Sequence, residues 1–540
     1  MRVVSEVSDI HSLSYLHIHP LQYHIAQEAL KPGGVLKHTY MEVIVSAAMG
    51  ELASRSISFL VDRYLKQRAA PTKEERLHSL RRLLLRLHVV VEEADCRLIT
   101  NQAMLHQLSI LKKEMYRGYY TLDFFSCQAH GEERTKDHQV NNSFAPSVFN
   151  PAKRVCFCRG NNEGAAQAKL LEQVLCSIRD ITEDVSEFVI FLCRCPHLHR
   201  QPYNMYLLLD KFMFGRQMEM EHVMNFLLQE ESAHRAAEDL PVLPIIGQGK
   251  VGKSTLIEHA CDDERVRSHF FQILCFSGDD LKDASVETLR DRGRIKHQNR
   301  GMAGGRTLII IELILDIEES VWKRLYLAVR SCIVSGSKII VASRFDKIAS
   351  FGTTRPLRLQ CLTPESYWYF FKVRTFGSTS AEDHPKLTAI AMDMARLLKG
   401  CFRAAIIYSG LLKANFNHRF WTIALATLRN IRQKNILLYG DHFADVWEFE
   451  EPAYLRRANK TSSECLVIFS DYQTCSSETE PEPEDPEMMS VQDLLFGSVR
   501  PRGNFKVHAW TSHLPPHYKY MFHCGVRRPQ SMVANMKRLK

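Results

Sequence analysis

Past Pro71 the chain repeats apolar residues in steps of three and four. Leu77, Leu80, Leu84, Leu87, Val91 and Ala94 make one stripe with a charged back, the spacing of residues that share one face of a helix. Thr72 and Glu75 stand three apart just before it, a capping box that predicts the helix start. Met104, Leu108, Leu111, Met115, Tyr119 and Leu122 form a second stripe, and Leu171, Leu175, Ile178, Val185, Phe188 and Leu192 another. An earlier stripe, Val45, Met49, Leu52, Leu60 and Tyr64, lies between Met41 and Leu65. Four amphipathic helices predict a bundle. Residues 126–163 are polar, charged and without period, which predicts a long loop between the last two helices. The first 40 residues hold five histidines and no sustained period. They are expected to be a disordered extension, with Met1 and Met41 both open as the true start.

Farther on the pattern changes from helical stripes to short apolar runs. Val242, Leu243, Ile245 and Ile246 predict a buried strand, with Pro244 a mild objection inside it. Residues 307–314, TLIIIELI, and Lys338–Ala342 predict two more. Strands alternating with helices across 241–345 predict a parallel sheet covered on both faces.

Composition narrows the class. At 540 residues the chain is long enough for about three domains. Hydrophobic residues at 45% and charged residues at 24% are the balance of a globular protein rather than a disordered one. The formal net charge of +9 is mild for this length and does not indicate nucleic acid. No signal peptide or membrane-spanning run is found, so a cytoplasmic protein is expected. The fifteen cysteines are then reduced thiols. Two clusters, Cys156 with Cys158 and Cys193, Cys195, His197 with His199, lack the two-residue gap usual between paired zinc cysteines.

The chemistry concentrates at residues 247–255. Gly247, Gln248, Gly249, Lys250, Val251, Gly252, Lys253, Ser254 and Thr255 match the G-x-x-x-x-G-K-[ST] phosphate loop in full. The glycines let successive N–H groups turn inward onto phosphate oxygens, and the helix starting near Lys253 adds its positive end. Lys253 supplies charge for the outer phosphates, Ser254 a hydroxyl ligand for Mg²⁺, and Thr255 a bond to an inner phosphate. A neighbouring strand should end in an acid for the metal, and Glu312 is in that place. The next residue is Leu313, which cannot orient a water for attack on the terminal phosphate. Arg344, at the end of the third strand, could point toward that phosphate.

Read together, these segments resemble a plant intracellular immune receptor of the coiled-coil, nucleotide-binding class, a divergent grass-type member of the NB-ARC group. MEVIVSAAMGELASRSISFLVDRYL resembles the start of that family's N-terminal helical domain, and MYRGYYTLDFF at 115–125 its acidic motif, reduced to Asp123. MFGRQMEMEHVMNFLLQ at 213–229 is similar to the lead-in to the nucleotide domain, and DDERVRSHFFQILCFS at 262–277 to the segment after the loop. GSKIIVASR at 336–344 looks like the strand whose arginine senses phosphate, and LTPESYWYFF at 362–371 like the opening of the first helical ARC subdomain. The chain departs from the family at Glu312 and Leu313, where the family has paired aspartates, and at CFRAA (401–405), which puts Arg403 where a nucleotide-contacting proline belongs. Beyond about residue 435 neither the Met-His-Asp segment nor leucine-rich repeats are legible.

The resulting expectation is a multidomain chain: an extension (1–40), a coiled-coil-type helical bundle (41–200), an α/β P-loop domain (201–355), a helical ARC-like subdomain (356–435), and an irregular C-terminal region (436–540) with an acidic linker near 476–489. The resemblance implies a defence switch that binds ADP or ATP with Mg²⁺ and hydrolyses weakly or not at all. Nucleotide-binding residues would be 247–255 and Arg344, with Ser254 and Glu312 at the metal. The N-terminal helices would meet one another's copies or other immune receptors. A nucleotide-independent decoy or scaffold, and an active P-loop ATPase, are the alternatives.

Overall fold

The computed structural model describes residues 71–137, 162–197, 214–229, 240–249, 251–277, 294–298, 305–313, 316–439, 453–455, 465–475, 488–497, 501–511 and 518–527. The stripe at 41–65, Cys156 and Cys158, His199, Lys250 and all but the end of the acidic linker lie outside these residues.

Three long helices open the described chain: α1 (Lys73–Asp95), α2 (Gln102–Asp137) and α3 (Asn162–Leu192). Helix α1 begins where the capping box predicts. The Thr72 hydroxyl accepts from the Glu75 N–H at 3.2 Å while the Glu75 carboxylate accepts from the Thr72 N–H at 2.9 Å, satisfying two N–H groups that lack helical partners. The stripes of all three helices are buried against each other. Helix α2 runs on through Asp137, past residue 126 where a loop was expected. Its apolar stripe ends near Phe125, and Gln128, Ala129, Glu132, Glu133 and Arg134 have the helix propensity to carry the backbone on.

The backbone of the Cys193–His197 segment is bound by a cation. Arg97 donates to the carbonyls of Leu192, Cys193 and Cys195 at 2.9–3.3 Å, capping the C-terminus of α3 with a cation. Among the described residues no group of three or more His, Cys, Asp or Glu is placed to hold a metal ion.

After α4 (Gln217–Leu228) comes the sheet: β1 (Val242–Gly247), α5 (Lys253–Asp262), α6 (Glu264–His269), β2 (Gln272–Ser277), β3 (Arg294–Gln298), β4 (Thr307–Leu313), α7 (Glu319–Cys332), β5 (Lys338–Ser343) and β6 (Leu357–Leu359). The order is β3-β2-β4-β5-β1-β6, parallel throughout except for β3 at the edge. Strand β6 pairs with β1 beyond residue 355, so the sheet extends past the boundary expected for it; three residues are too few to show a period. Alternate strand residues feed two cores, one under α4, α5 and α6 and the other under α7. Pro244 fits because Val242 turns its N–H and C=O toward Thr353. Pro244 points the same way, and β6 begins to pair only at Ile245. Lys338 donates to the carbonyls of Phe226, Leu227 and Gln229, closing the end of α4 as Arg97 closes α3.

Four helices follow, α8 (Pro364–Phe376), α9 (Pro385–Leu398), α10 (Phe402–Ala414) and α11 (His418–Tyr439). They share one apolar core with α1–α3. The Tyr116 ring packs tilted against Tyr369 at 4.5 Å between ring centroids. Beside these rings Asp123, 4% exposed, accepts from Trp368 Nε1 at 2.8 Å and from Lys372 Nζ at 2.8 Å. Asp123 therefore makes a polar link from α2 to α8.

The same core continues into a second sheet. Strands β7 (Ala453–Leu455), β8 (Cys465–Cys475), β9 (Met489–Ser490), β10 (Asn504–Thr511) and β11 (Tyr518–Arg527) order as β7-β8-β11-β10-β9, with α12 (Val491–Phe496) beside them. Among the described residues no helix is long and apolar enough to cross a membrane.

Candidate nucleotide site

The loop after β1 occupies the carboxyl end of a central strand, with β5 on one side and β6 on the other, where open α/β sheets bind ligands. Gly252 takes φ +98° immediately before α5, a backbone conformation costly to any side chain. At Gly247 an added Cβ would lie 2.7 Å from the Leu359 carbonyl oxygen. Both glycines are required by shape, one for the turn and one for the passage of β6. Val251, 2% exposed, anchors the loop in the core beneath α5.

Lys253 folds its ammonium into the loop, donating to the carbonyls of Gly247 and Gln248 at 2.7 Å each. Ser254 and Glu312 come from different elements and meet there, Oγ to Oε2 at 3.2 Å. Alternation along β4 explains it: Leu308 and Ile310 pack in the core under α5, so Glu312 shares their face. Ile309, Ile311 and Leu313 point to the opposite core beside Trp322. Leu313 is thus a buried packing residue where a second carboxylate would have to turn back toward the site. A hydroxyl and a carboxylate are hard oxygen donors of the kind that hold Mg²⁺ together with phosphate oxygens, so this pair fits the ion.

A family model described as the NB-ARC domain matches residues 216–381. The chain carries an NB-ARC domain. It is also related to plant disease resistance proteins. It is 24% identical to the disease resistance protein RGA2 of Solanum bulbocastanum over 359 residues, 62% of this chain and 34% of that protein. Two further proteins of that species, named RGA1 and RGA4, are each 28% identical over 40% of this chain and 23% of their own length. The chain therefore spans about a third or less of these relatives.

Within the NB-ARC domain, β5 sets Ser343 opposite Ile246 of β1, so Arg344 follows at the carboxyl edge alongside the loop. Its side chain is exposed and its guanidinium lies 5.1 Å from the Phe345 ring. Two contacts to the loop were not foreseen from the residues. Arg216, 4% exposed, donates to the carbonyls of Val251 and Gln360 and pairs with Glu219. Cys361 Sγ meets Gln248 Oε1 at 3.2 Å. Arg216 sits in the segment similar to the family lead-in, but nothing in its neighbours marks it as buried. Cys361 acts across a distance that no local pattern records.

Proposed function

We propose that this chain is an adenine-nucleotide-binding, switch-like protein of plant defence, with ADP or ATP held at the loop 247–255. The observation that carries the reading is the meeting of Ser254 and Glu312 at 3.2 Å beside a complete phosphate loop. When bound, Mg²⁺ would neutralise phosphate charge, with Ser254 and Glu312 holding it. The first-turn N–H groups of α5 and the Lys253 ammonium would bind phosphate oxygens, Lys253 exchanging carbonyl partners for anionic ones. Arg344 at the edge of β5 would meet the terminal phosphate.

Hydrolysis is weak or absent in this reading, because Leu313 is buried in the core and offers no group to orient a water. A bound nucleotide then persists, as a switch requires, and ADP and ATP favour different arrangements of the sheet and the helices after it only to the extent of their differential contacts. The names of the plant relatives support the defence role. The N-terminal helices associate with second copies or with other immune receptors, and the protein acts in the cytoplasm. In support, α1 leaves Leu85 and Val89, four apart, exposed to solvent.

The test is to purify the full chain, denature it and quantify released ADP and ATP by chromatography, with Lys253→Ala in parallel. Nucleotide near one per chain, lost in the variant, is the expected result. Wild-type protein that releases none and binds no added nucleotide would overturn the reading in favour of a nucleotide-independent scaffold.

A further inference from the structure

Two consecutive residues at the start of α4 reach in different directions. Arg216 stands at the N-cap and Gln217 is the first helical residue. The Arg216 guanidinium reaches the phosphate loop, donating to the Val251 carbonyl at 3.4 Å and to the Gln360 carbonyl beside it. The Gln217 amide reaches the helical bundle instead. Its Nε2 donates to Asp95 Oδ1 at 2.9 Å and its Oε1 accepts from Lys112 Nζ at 2.7 Å, joining the end of α1 and the body of α2 to α4. Just before them Phe214 packs into the aromatic cluster of α2 and α8, 5.2 Å from Tyr116 and 5.3 Å from Phe370 between ring centroids.

Each contact has a physical consequence. A trans peptide unit sets a carbonyl and the following N–H in opposite directions. Arg216, 4% exposed, holds the Val251 carbonyl, so the Gly252 N–H faces away from that guanidinium. At Gln217 the chemistry is reversible. Lys112 and Asp95 already pair with each other at 2.6 Å, their side chains 11% and 12% exposed. A carboxylate only accepts and an ammonium only donates, which fixes the orientation of the amide that binds both. When Gln217 withdraws, the ion pair stays closed and no buried charge is stranded. Only hydrogen bonds from a neutral amide to charged groups are given up.

We propose that Gln217 is a positioning residue for the phosphate loop. By binding the Asp95–Lys112 pair it seats Arg216 on the Val251 carbonyl, so that a nucleoside diphosphate or triphosphate and the docked bundle stabilise each other. This rests on the proposed nucleotide binding. The seated loop presents the Gly252 N–H to phosphate oxygens, and withdrawal of Gln217 from the bundle frees Arg216 and loosens that peptide. Linkage makes the coupling reciprocal: a ligand that gains from the docked bundle must favour docking by the same factor.

The experiment measures ADP affinity of the full chain by calorimetry for wild type, Gln217→Met, Arg216→Met, the double variant and Lys253→Ala. Gln217→Met keeps the length of the side chain and leaves the ion pair intact. Each of the first two substitutions should weaken binding about tenfold, the loss of one hydrogen bond to a charged group. The double variant should bind no more weakly than Arg216→Met, because Gln217 acts through Arg216; a merely structural role would give additive losses. Hydrogen exchange reads the reverse direction with Arg216 intact: saturating ADP should slow exchange in residues 102–116 of α2 several-fold in wild type, and in Gln217→Met it should not. Gln217→Met binding within twofold of wild type, or exchange in α2 indifferent to ADP, would overturn the proposal while Lys253-dependent binding kept the nucleotide reading intact. A double variant whose loss is the product of the two single losses would overturn it as well. So would tighter binding in Gln217→Met, which would make the docked bundle a competitor of the ligand. Wild-type protein that binds no nucleotide would overturn this proposal together with the reading beneath it.

Discussion

The chain builds two sheets, and they follow different rules. The NB-ARC sheet is five parallel strands plus one antiparallel edge, with β1, β4 and β5 buried on both faces and apolar almost throughout. The C-terminal sheet is mixed, and β10 is largely half-exposed. The first sheet can be recognised from its own residues, because strands covered on both faces read as continuous apolar runs. The second depends on what it packs against, and its apolar side belongs to the core of α1–α3 and α8–α11. The candidate nucleotide site lies at the carboxyl end of the first sheet.

The largest expected effect comes from breaking that shared core. Phe522 in β11 is 3% exposed within it. Truncation to alanine should cost about 3–5 kcal/mol and should undock the C-terminal sheet first. Limited proteolysis would then cut near residues 465–527 while β1 and β5 stay protected. Simultaneous loss of both sheets would mean that they unfold as one unit and that the contrast between them has no energetic meaning.

Asp123→Ala comes next. It leaves Lys372 and the Trp368 N–H without this carboxylate at a buried contact. A broken buried pair costs about 3 kcal/mol at the lower end of the usual range, which suits Lys372 because its side chain is 16% exposed. Thermal denaturation should show a drop of several degrees. Hydrogen exchange should rise in α2 and α8 together while the NB-ARC sheet is unaffected, and no change would mean that the aromatic contacts alone hold the bundle.

What could be read from the residues follows from the range of the interaction. Thr72 and Glu75 act over three residues, and the glycines of the loop over five; both appear in the structure as the local pattern implies. The position of Glu312 at a strand end beside the loop, though not its role, was legible, and it lies against Ser254. The C-terminal strands went unread because β8 and β11 pair across more than forty intervening residues, with half-buried positions that give no clean alternation. Arg216 and Lys338 were missed for another reason. Each is a buried cation that binds backbone carbonyls, and no spacing rule identifies such a residue.

Gly252→Ala tests the loop alone, with a smaller cost to the fold. At φ +98° a side chain costs about 1–2 kcal/mol, and relaxing that strain would turn the N–H groups away from the cradle. Stability should fall by that amount while bound nucleotide disappears. A variant that keeps its nucleotide would show that the turn tolerates a Cβ and that Lys253 and the helix end suffice.

The smallest effect separates the sheets by pH. Cys524, in β11, is buried, and burial pushes its thiol up to about 12 from an ordinary value near 9. The folded chain therefore keeps this proton as pH rises while the unfolded chain loses it, so its share of stability is intact below pH about 9 and is lost progressively as pH climbs toward 12. Between pH 9 and 10.5 wild type should lose about 1.5 kcal/mol more than Cys524→Ala, read as the difference in denaturant midpoints. Thiol labelling gives the same sign: exposed Cys361 and Cys176 should react well before Cys524, and Phe522→Ala should remove that delay. Equal pH slopes in wild type and Cys524→Ala would show that the thiol meets water in the native state and that β11 is less closely packed than its burial indicates.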